Sequence, residues 1–237
     1  MQTVFESFEL ALRLLAAGDP QLLQIVVLSL KVSASACLIG ALVGLLLGAW
    51  LAVARFAGQQ ALVWALNTLL ALPSVVVGLL VYLLLSRAGP LGSWGLLFTP
   101  SAMVLAQSVL VIPLIAALTR RLVLTAWREA ADPLRSLGAG PLTAAVLLLV
   151  HERRALLTVV LTAFGRAIAE VGAVMMVGGN VLGVTRVMTT AIALETSKGD
   201  LALALALGLV LLGVVGCINA ALSLLQAPHG AERAALV

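Results

Sequence analysis

The chain has 237 residues, of which 62% are hydrophobic and 10% are charged, and its formal net charge is +4 at neutral pH. Soluble domains are closer to half apolar and a quarter charged, so this composition predicts an integral membrane protein and excludes a soluble globular domain. The arginines cluster beside apolar segments, which indicates membrane topology rather than binding to nucleic acid.

The first 20 residues have the pattern of a helix that lies on a membrane surface. Their large apolar side chains share one helical face, and their charged side chains lie elsewhere. No basic stretch leads this segment, so it does not have the pattern of a secretory signal. We predict an interfacial helix over residues 1–20 that ends near Gly18-Asp19-Pro20. Its apolar face comprises Phe5, Phe8, Leu12 and Leu15.

Five apolar runs follow, each long enough to cross a bilayer, which requires about 20 residues in a helix. They are too long and too weakly alternating for the strands of a membrane barrel. Pro73 and Pro113 lie inside the second and third runs, and we predict kinks there because proline removes a helical hydrogen bond. The predicted membrane domain, 21–226, has spans at about 22–54, 61–86, 101–122, 155–178 and 201–225.

The distribution of basic residues predicts the orientation of these spans. Five spans place the termini on opposite sides, and short cytoplasmic loops carry more Lys and Arg than external loops. With the N-terminus outside, eight basic residues lie inside and five outside, so the polar loop 126–154 and the tail 227–237 are cytoplasmic. The inner residues are Arg55, Arg120, Arg121, Arg128, Arg135, Arg153, Arg154 and Arg233.

No motif of a catalytic, metal or cofactor site is visible. The chain has no G-x-x-x-x-G-K-[ST] phosphate loop, so another subunit must hydrolyse any ATP that drives it. No nucleophile, base and orienting group form a recognisable pattern, which argues against an enzyme. Cys37 and Cys217 lie in separate apolar runs and indicate packing rather than a disulfide or metal ligands.

The polar loop before the fourth span has the pattern of a helical elbow. Asp132-Pro133 is a favourable N-cap and first-turn pair, which predicts a short helix over 133–137. Gly138 is expected to end this helix, because a residue without Cβ readily adopts the left-handed conformation. A second amphipathic stretch, 141–150, leads to the fourth span. We therefore predict a helix, a glycine turn and a second helix on the cytoplasmic face.

This loop resembles the cytoplasmic signature loop of ABC importer permeases, in which Glu-Ala-Ala is followed by three residues and a glycine. Ser136-Leu137-Gly138-Ala139 matches the glycine region, and Asp132-Pro133-Leu134 occupies the Glu-Ala-Ala position. The literal Glu129-Ala130-Ala131 lies three residues too early, and the Leu-Pro that ends the family pattern is absent. The resemblance implies a coupling helix that docks on an ATPase subunit. Its predicted contact residues are Asp132, Pro133, Leu134, Ser136, Leu137, Gly138 and Ala139.

The segments 165–180 and 186–200 are similar to the tungstate-type, oxyanion-transporting branch of these permeases. The resemblance implies an all-α integral membrane protein with the five-helix type I permease fold, in the cytoplasmic membrane of a bacterium or archaeon. It also implies a homodimer that works with two ATPase subunits and an extracytoplasmic tungstate-binding protein. Tungstate import is the expected function. Molybdate or sulfate import by the same class of permease, and ATP-independent secondary transport, are the alternatives.

Two charged residues, Arg166 and Glu170, lie inside the fourth predicted span. Arg166 is roughly 16 Å along that helix at about 1.5 Å per residue, and a charge near the bilayer middle costs at least ~2.5 kcal/mol. Both side chains should therefore face protein or water, either as a structural ion pair or as part of the translocation pathway. The predicted pathway or gate comprises Arg166, Glu170, Gly172, Met175 and Met176, although the glycine and methionines also fit simple packing.

Polar residues also follow the fourth span on the predicted outer side. Asn180, Thr189, Thr190, Glu195 and Thr196 form a polar loop between the fourth and fifth spans. Because functional contacts concentrate on such loops, we expect this one to contact the binding protein or to shape the pore mouth. A loop that is merely solvated is the alternative.

Overall fold

The computed structural model describes residues 8–9, 12–13 and 16–226. Helices dominate these residues, and no strand occurs among them. The interfacial helix predicted at 1–20 lies largely outside the described residues, and the tail at 227–237 lies outside them entirely. The elements are α1 (Pro20–Val53), α2 (Gln59–Leu70), α3 (Ser74–Leu85), a 3-10 turn (Gly92–Trp94), α4 (Pro100–Ser136), α5 (Pro141–His151), α6 (Arg153–Ile168), α7 (Gly172–Gly178), α8 (Met188–Lys198) and α9 (Leu201–Gln226).

Three of these helices, α1, α4 and α9, are long and apolar enough to cross a membrane. Two further spans arise if α2 with α3, and α6 with α7, are each counted as one bent span. The part of the chain that the structure describes therefore contains three to five candidate spans. Helices satisfy their own backbone hydrogen bonds, which lipid cannot do, so this is the architecture of a multi-pass membrane protein.

The second predicted span is interrupted at Pro73 rather than kinked. Helix α2 ends at Leu70, Pro73 has an extended backbone with φ −63° and ψ 126°, and α3 begins directly after it. Proline disfavours the helical conformation in the residue before it, and its missing N–H is harmless at a helix start. The prediction of one continuous, kinked helix over 61–86 is therefore wrong.

Helix α4 extends beyond the predicted span at 101–122. It contains 37 residues and includes both Pro113 and Pro133. Pro133 therefore does not begin a separate helix, and the prediction that Asp132 is an N-cap is wrong. A helix of this length measures about 55 Å, whereas the hydrocarbon of a bilayer is only ~30 Å thick. One end of α4 must therefore project beyond the membrane interior.

The fourth predicted span, 155–178, is interrupted as well. Helix α6 ends at Ile168, and α7 begins at Gly172. Glu170 lies in the break between them, so the prediction that Arg166 and Glu170 are two positions on one continuous helix is wrong. The break frees backbone polar groups that side chains must satisfy if lipid surrounds this segment.

The chain divides into two compact units. The first unit comprises the residues up to 35, 73–107 and 166–217, and the second comprises 36–72, 108–165 and the residues from 218 onward. In the first unit, α3 buries Val77, Gly78 and Val81. A Cβ on Gly78 would lie 2.8 Å from the Cα of Ala173, so α3 and α7 pack with their backbones in close approach.

A stripe of glycines organises the second unit. Gly40, Gly44 and Gly48 recur every four residues on α1 and therefore share one helical face. A Cβ on Gly44 would lie 2.9 Å from the Cβ of Ile115, and one on Gly48 would collide with the carbonyl oxygen of Ala116. Small residues at such positions let two membrane helices approach closely and gain van der Waals contact. The stripe thus fixes α1 against α4.

The start of α5 rests on the same two helices of the second unit. Ala144, Ala145 and Leu148 on α5 are buried in one apolar cluster with Val53 of α1 and Trp127 of α4. Burial of apolar surface contributes roughly 25 cal/mol per Å² where water is displaced. The cluster therefore gives α5 a fixed position beside the projecting end of α4.

We predict that Gly48→Ala destabilises the protein, because the added methyl group meets backbone rather than a flexible side chain. Overpacking of this kind typically costs about 1–3 kcal/mol. Gly213→Ala is the matched control, since Gly213 also lies inside a helix but has no atom within 4 Å of the added Cβ position. Thermal unfolding in detergent, followed by size-exclusion chromatography, should show a lower midpoint for Gly48→Ala alone. Equal midpoints for the two variants would contradict the packing of α1 against α4.

Candidate functional site

The break between α6 and α7 is a polar site within the first unit. The carbonyl of Ala167 accepts hydrogen bonds from the Glu170 backbone N–H at 3.1 Å and from the Gln107 side-chain amide at 2.8 Å. The Glu170 carboxylate accepts from the backbone N–H groups of Gly172 at 2.9 Å and Ala173 at 3.4 Å. Helix ends leave such groups without intrahelical partners. Here side chains replace the missing helical bonds, so the break is built into the fold.

The structure gives Arg166 and Glu170 different surroundings. Their side chains form an ion pair with 3.2 Å between Arg166 Nη1 and Glu170 Oε2, and the Arg166 side chain is 61% exposed whereas that of Glu170 is 5% exposed. The hydroxyl of Thr189 also donates to the Glu170 carbonyl at 2.8 Å. Glu170 is therefore fixed through both its carboxylate and its backbone, whereas most of the Arg166 side chain is exposed.

The other predicted pathway residues serve packing around this break. A Cβ on Gly172 would lie 2.8 Å from Ser74 Oγ, so only glycine fits where α7 begins beside α3. Met175 and Met176 are partly buried on α7, and the backbone of Gly78 lies against Met176. In the described part of the chain, no cluster of three or more His, Cys, Asp or Glu side chains could hold a metal ion.

Four of the five residues predicted to form an outer polar loop lie on a helix, α8, that is buried at its start. Thr189, Thr190 and Glu195 are buried on α8, so the prediction that they form a surface loop is wrong. The Thr190 hydroxyl accepts from the Val187 N–H at 3.2 Å and thereby caps α8. Asn180 has a left-handed backbone with φ 52°, and its side-chain amide donates to the Thr190 carbonyl at 3.3 Å. Of the five predicted residues, Thr196 is exposed.

An ion-pair network that the sequence prediction missed, buried at Arg186 and Glu195, holds this segment together. Arg186 Nη1 lies 3.6 Å from Glu195 Oε1, with side chains that are 11% and 6% exposed. Lys198 Nζ lies 3.0 Å from the same oxygen. The second Arg186 terminal nitrogen donates to the Asn180 carbonyl at 3.4 Å. The spacing of Glu195 and Lys198 by three residues on a helix is the one local signal that could have revealed it.

Gln107 is a second residue that sequence reasoning missed. It is buried on α4, and its side-chain oxygen has no hydrogen-bond partner among the described residues. An unpaired acceptor in a buried site costs about 1–3 kcal/mol. The sequence contains a signal for Gln107, because a strongly polar amide inside the apolar run 101–119 needs a hydrogen-bond partner from the protein when lipid surrounds the helix.

The predicted elbow lies in the second unit, at the end of α4. Gly138 adopts the left-handed conformation with φ 73°, which confirms the predicted glycine turn. The Ala139 N–H donates to the Leu134 carbonyl at 3.0 Å, and the Gly138 N–H donates to the Arg135 carbonyl at 2.9 Å. These bonds satisfy the last carbonyls of α4, as left-handed helix caps do. Helix α5 then begins at Pro141, as predicted.

The tip of the elbow exposes large apolar side chains. Leu137 is 82% exposed and Leu142 is 63% exposed, although this segment carries many charged residues. The Asp132 carboxylate is 97% exposed and lies 4.0 Å from Arg135. Exposed leucines beside charged groups mark a surface that another protein or a membrane covers. The arrangement can serve as a docking surface.

Comparisons with known proteins agree with these features. The chain is 44% identical over 226 residues to the tungstate uptake system permease protein TupB of Peptoclostridium acidaminophilum, covering 95% of this chain and 99% of the relative. It is 38% identical to a probable anion ABC transporter permease protein of Haloferax volcanii, covering 86% and 92%. A putative molybdenum transport system permease protein, YvgM of Bacillus subtilis, is 29% identical, covering 76% and 82%. No protein-family model matches the chain.

The similarity extends over nearly the whole chain and is not confined to one motif. The relatives are transport permeases rather than enzymes. Membership of this class implies an ATPase and a substrate-binding protein as partners in general. The chain therefore belongs to the TupB-like family of ABC transporter permease proteins.

Proposed function

We propose that this chain is the membrane-spanning permease subunit of an ATP-driven importer that carries tungstate into the cytoplasm by alternating access. The observation that carries the proposal is the 44% identity to a tungstate uptake permease over 99% of that protein. A second permease named for tungstate uptake, from Campylobacter jejuni, is 43% identical but is covered over only 64% of its length. Relatives named for molybdenum and sulfate transport reach 29–30% identity. Molybdate or sulfate import is therefore the second candidate.

The assembly we propose has a five-span type I fold, with the N-terminus outside and the C-terminus in the cytoplasm. Two copies form the translocation unit, two ATPase subunits bind on the cytoplasmic side, and a soluble oxyanion-binding protein binds on the outer side. The number of candidate spans supports the five-helix fold. The excess of arginines in the loop before the fourth span supports the orientation.

The elbow, residues 132–139, is the proposed site of ATPase coupling. Its helix cap gives it a defined shape, and the exposed Leu137 supplies an apolar group for a cleft in the ATPase subunit. Helix α5 is fixed by the buried cluster around Trp127 and Leu148. A displacement of the elbow would therefore move α5 together with the helices α1 and α4 on which it packs.

The break between α6 and α7 is the proposed part of the pathway that meets the anion. An oxyanion crossing a membrane needs cations or hydrogen-bond donors in place of water. The exposed guanidinium of Arg166 supplies both. Four hydrogen bonds with the surrounding residues fix Glu170, and its carboxylate balances part of the positive charge of Arg166. Glu170 therefore acts as a positioning residue for Arg166.

We expect Arg166→Ala to reduce tungstate uptake about tenfold or more, a loss equivalent to about 1.4 kcal/mol of anion stabilisation. Arg166→Lys should retain more activity, because it keeps the charge but loses the planar donor group. Both variants should assemble with the ATPase, which copurification checks. Tungstate-stimulated ATP hydrolysis by the reconstituted complex with its binding protein provides the second measurement. Normal uptake by Arg166→Ala would rule out the pathway role.

Gly138→Ser should weaken coupling to the ATPase, because a side chain in the left-handed conformation costs about 1–2 kcal/mol. Gly140→Ser is the matched control: Gly140 has φ −69° and precedes α5, where serine is a favourable N-cap. We expect about tenfold weaker binding of the ATPase subunit for Gly138→Ser alone. The measurement is surface-immobilised binding of the purified ATPase to permease in nanodiscs. If both variants bind like the native protein, the left-handed turn is not needed for docking.

A further inference from the structure

A groove between α4 and α5 in the second unit has a volume of about 480 Å³. Its walls are mainly apolar and include Ala130, Pro133, Leu134 and Leu147. Two carboxylates, Glu129 and Glu152, also line it, and neither lysine nor arginine does. Because Pro133 and Leu134 belong to the elbow, the groove is continuous with the proposed coupling surface.

Neither carboxylate of the groove pairs with a lysine or arginine among the residues that the structure describes. Glu129 makes no side-chain hydrogen bond or ion pair with any described residue. The neighbour of Glu152 is the exposed His151, whose Nε2 lies 4.0 Å from Oε1. Arg135 does not line the groove. Its guanidinium stacks on the Trp127 ring, 5.3 Å from the ring centroid. An apolar groove with two carboxylates that pair with no lysine or arginine among the described residues is complementary to a cation carried on an apolar stem.

We infer that this groove binds a segment of the ATPase subunit that presents apolar side chains and a lysine or arginine between Glu129 and Glu152. The inference rests on the proposed function, because it requires that the elbow docks on an ATPase. Apolar contacts with Leu134 and Leu147 would supply affinity, and the carboxylates would select the cationic residue. The ATPase subunit would then contact the side of the elbow as well as its tip.

The charge of the groove disfavours the other occupants of a membrane transporter. Two carboxylates repel the transported oxyanion and the anionic headgroups of lipids. The groove therefore serves neither the translocation pathway nor an anionic lipid site. A second copy of this chain and residues 227–237 of the same chain are alternatives that the experiment distinguishes.

The test uses a photo-crosslinking amino acid at Leu147 in the reconstituted complex of permease, ATPase subunit and binding protein in nanodiscs. Leu147 is 48% exposed in the groove, and Leu157, 51% exposed on α6 outside it, is the matched control. We expect Leu147 to crosslink to the ATPase subunit and Leu157 not to do so. A crosslink from Leu147 to lipid, to a second permease copy or to its own chain would overturn the inference.

A third crosslinking position separates this inference from the proposed function. Leu137, at the tip of the elbow, tests docking itself. If Leu137 crosslinks to the ATPase and Leu147 does not, the groove inference fails and the proposed coupling stands. If neither position crosslinks to the ATPase, the proposed elbow docking fails together with the groove.

Charge removal provides an independent readout. The double variant Glu129→Gln and Glu152→Gln should bind the purified ATPase subunit about tenfold more weakly at low ionic strength. The difference should shrink at high salt, because salt screens the attraction between exposed charges. Asp200→Asn removes a carboxylate of the first unit that does not line the groove, and this variant should bind like the native protein. Unchanged affinity of the double variant at low salt, with native elution in size exclusion, would overturn the role of the carboxylates.

Discussion

The structure depends on one constraint: a membrane interior offers no water to backbone groups, so every interruption of a helix needs partners from the protein. The break between α6 and α7 shows how this chain meets that requirement. Gln107 donates to the last turn of α6, and the Glu170 carboxylate caps the first turn of α7. Thr189 donates to the backbone between them. A charged and polar site can persist there because Gln107, Glu170 and Thr189 provide hydrogen bonds to backbone groups around the break.

The same constraint explains why Arg166 and Glu170 are not equivalent. The Glu170 carboxylate accepts hydrogen bonds from the backbone N–H groups of Gly172 and Ala173. An apolar residue at this position would leave those N–H groups without this partner. Arg166 has only the ion pair to hold it and remains largely exposed. Under the proposed function, a fixed carboxylate beside a partly exposed guanidinium would give an anion a site of attraction that is weak enough for release.

Close backbone packing complements the polar contacts. The glycines of α1 bring it against α4 in the second unit, and Gly78 and Gly172 bring α3 against α7 in the first. Lipid tails are as apolar as leucine, so shape and small residues rather than water exclusion drive helix association. Helices packed in this way move as bodies. In the proposed mechanism, an elbow packed on the helices of the second unit would transmit a displacement to them.

Local sequence signals predicted the features that depend on neighbouring residues. The apolar runs, the glycine turn at Gly138 and the start of α5 at Pro141 all follow from chemistry within a few positions. The same local logic failed at Asp132-Pro133, because α4 continues through a proline that would suit a helix start equally well. It also failed at Pro73, where a kink and a complete break have the same local signature.

The sequence by itself therefore determined the membrane class, the order of the apolar segments, the elbow and the family resemblance, since each rests on composition or short spacing. Only the tertiary structure decided which polar residues belong together. Gln107 meets Ala167 across 60 positions, Ser29 accepts from the Met188 N–H across 159, and Arg186 is buried against Glu195. Such partners are brought together by helix packing, and packing depends on side-chain shape along whole helices rather than on any local pattern.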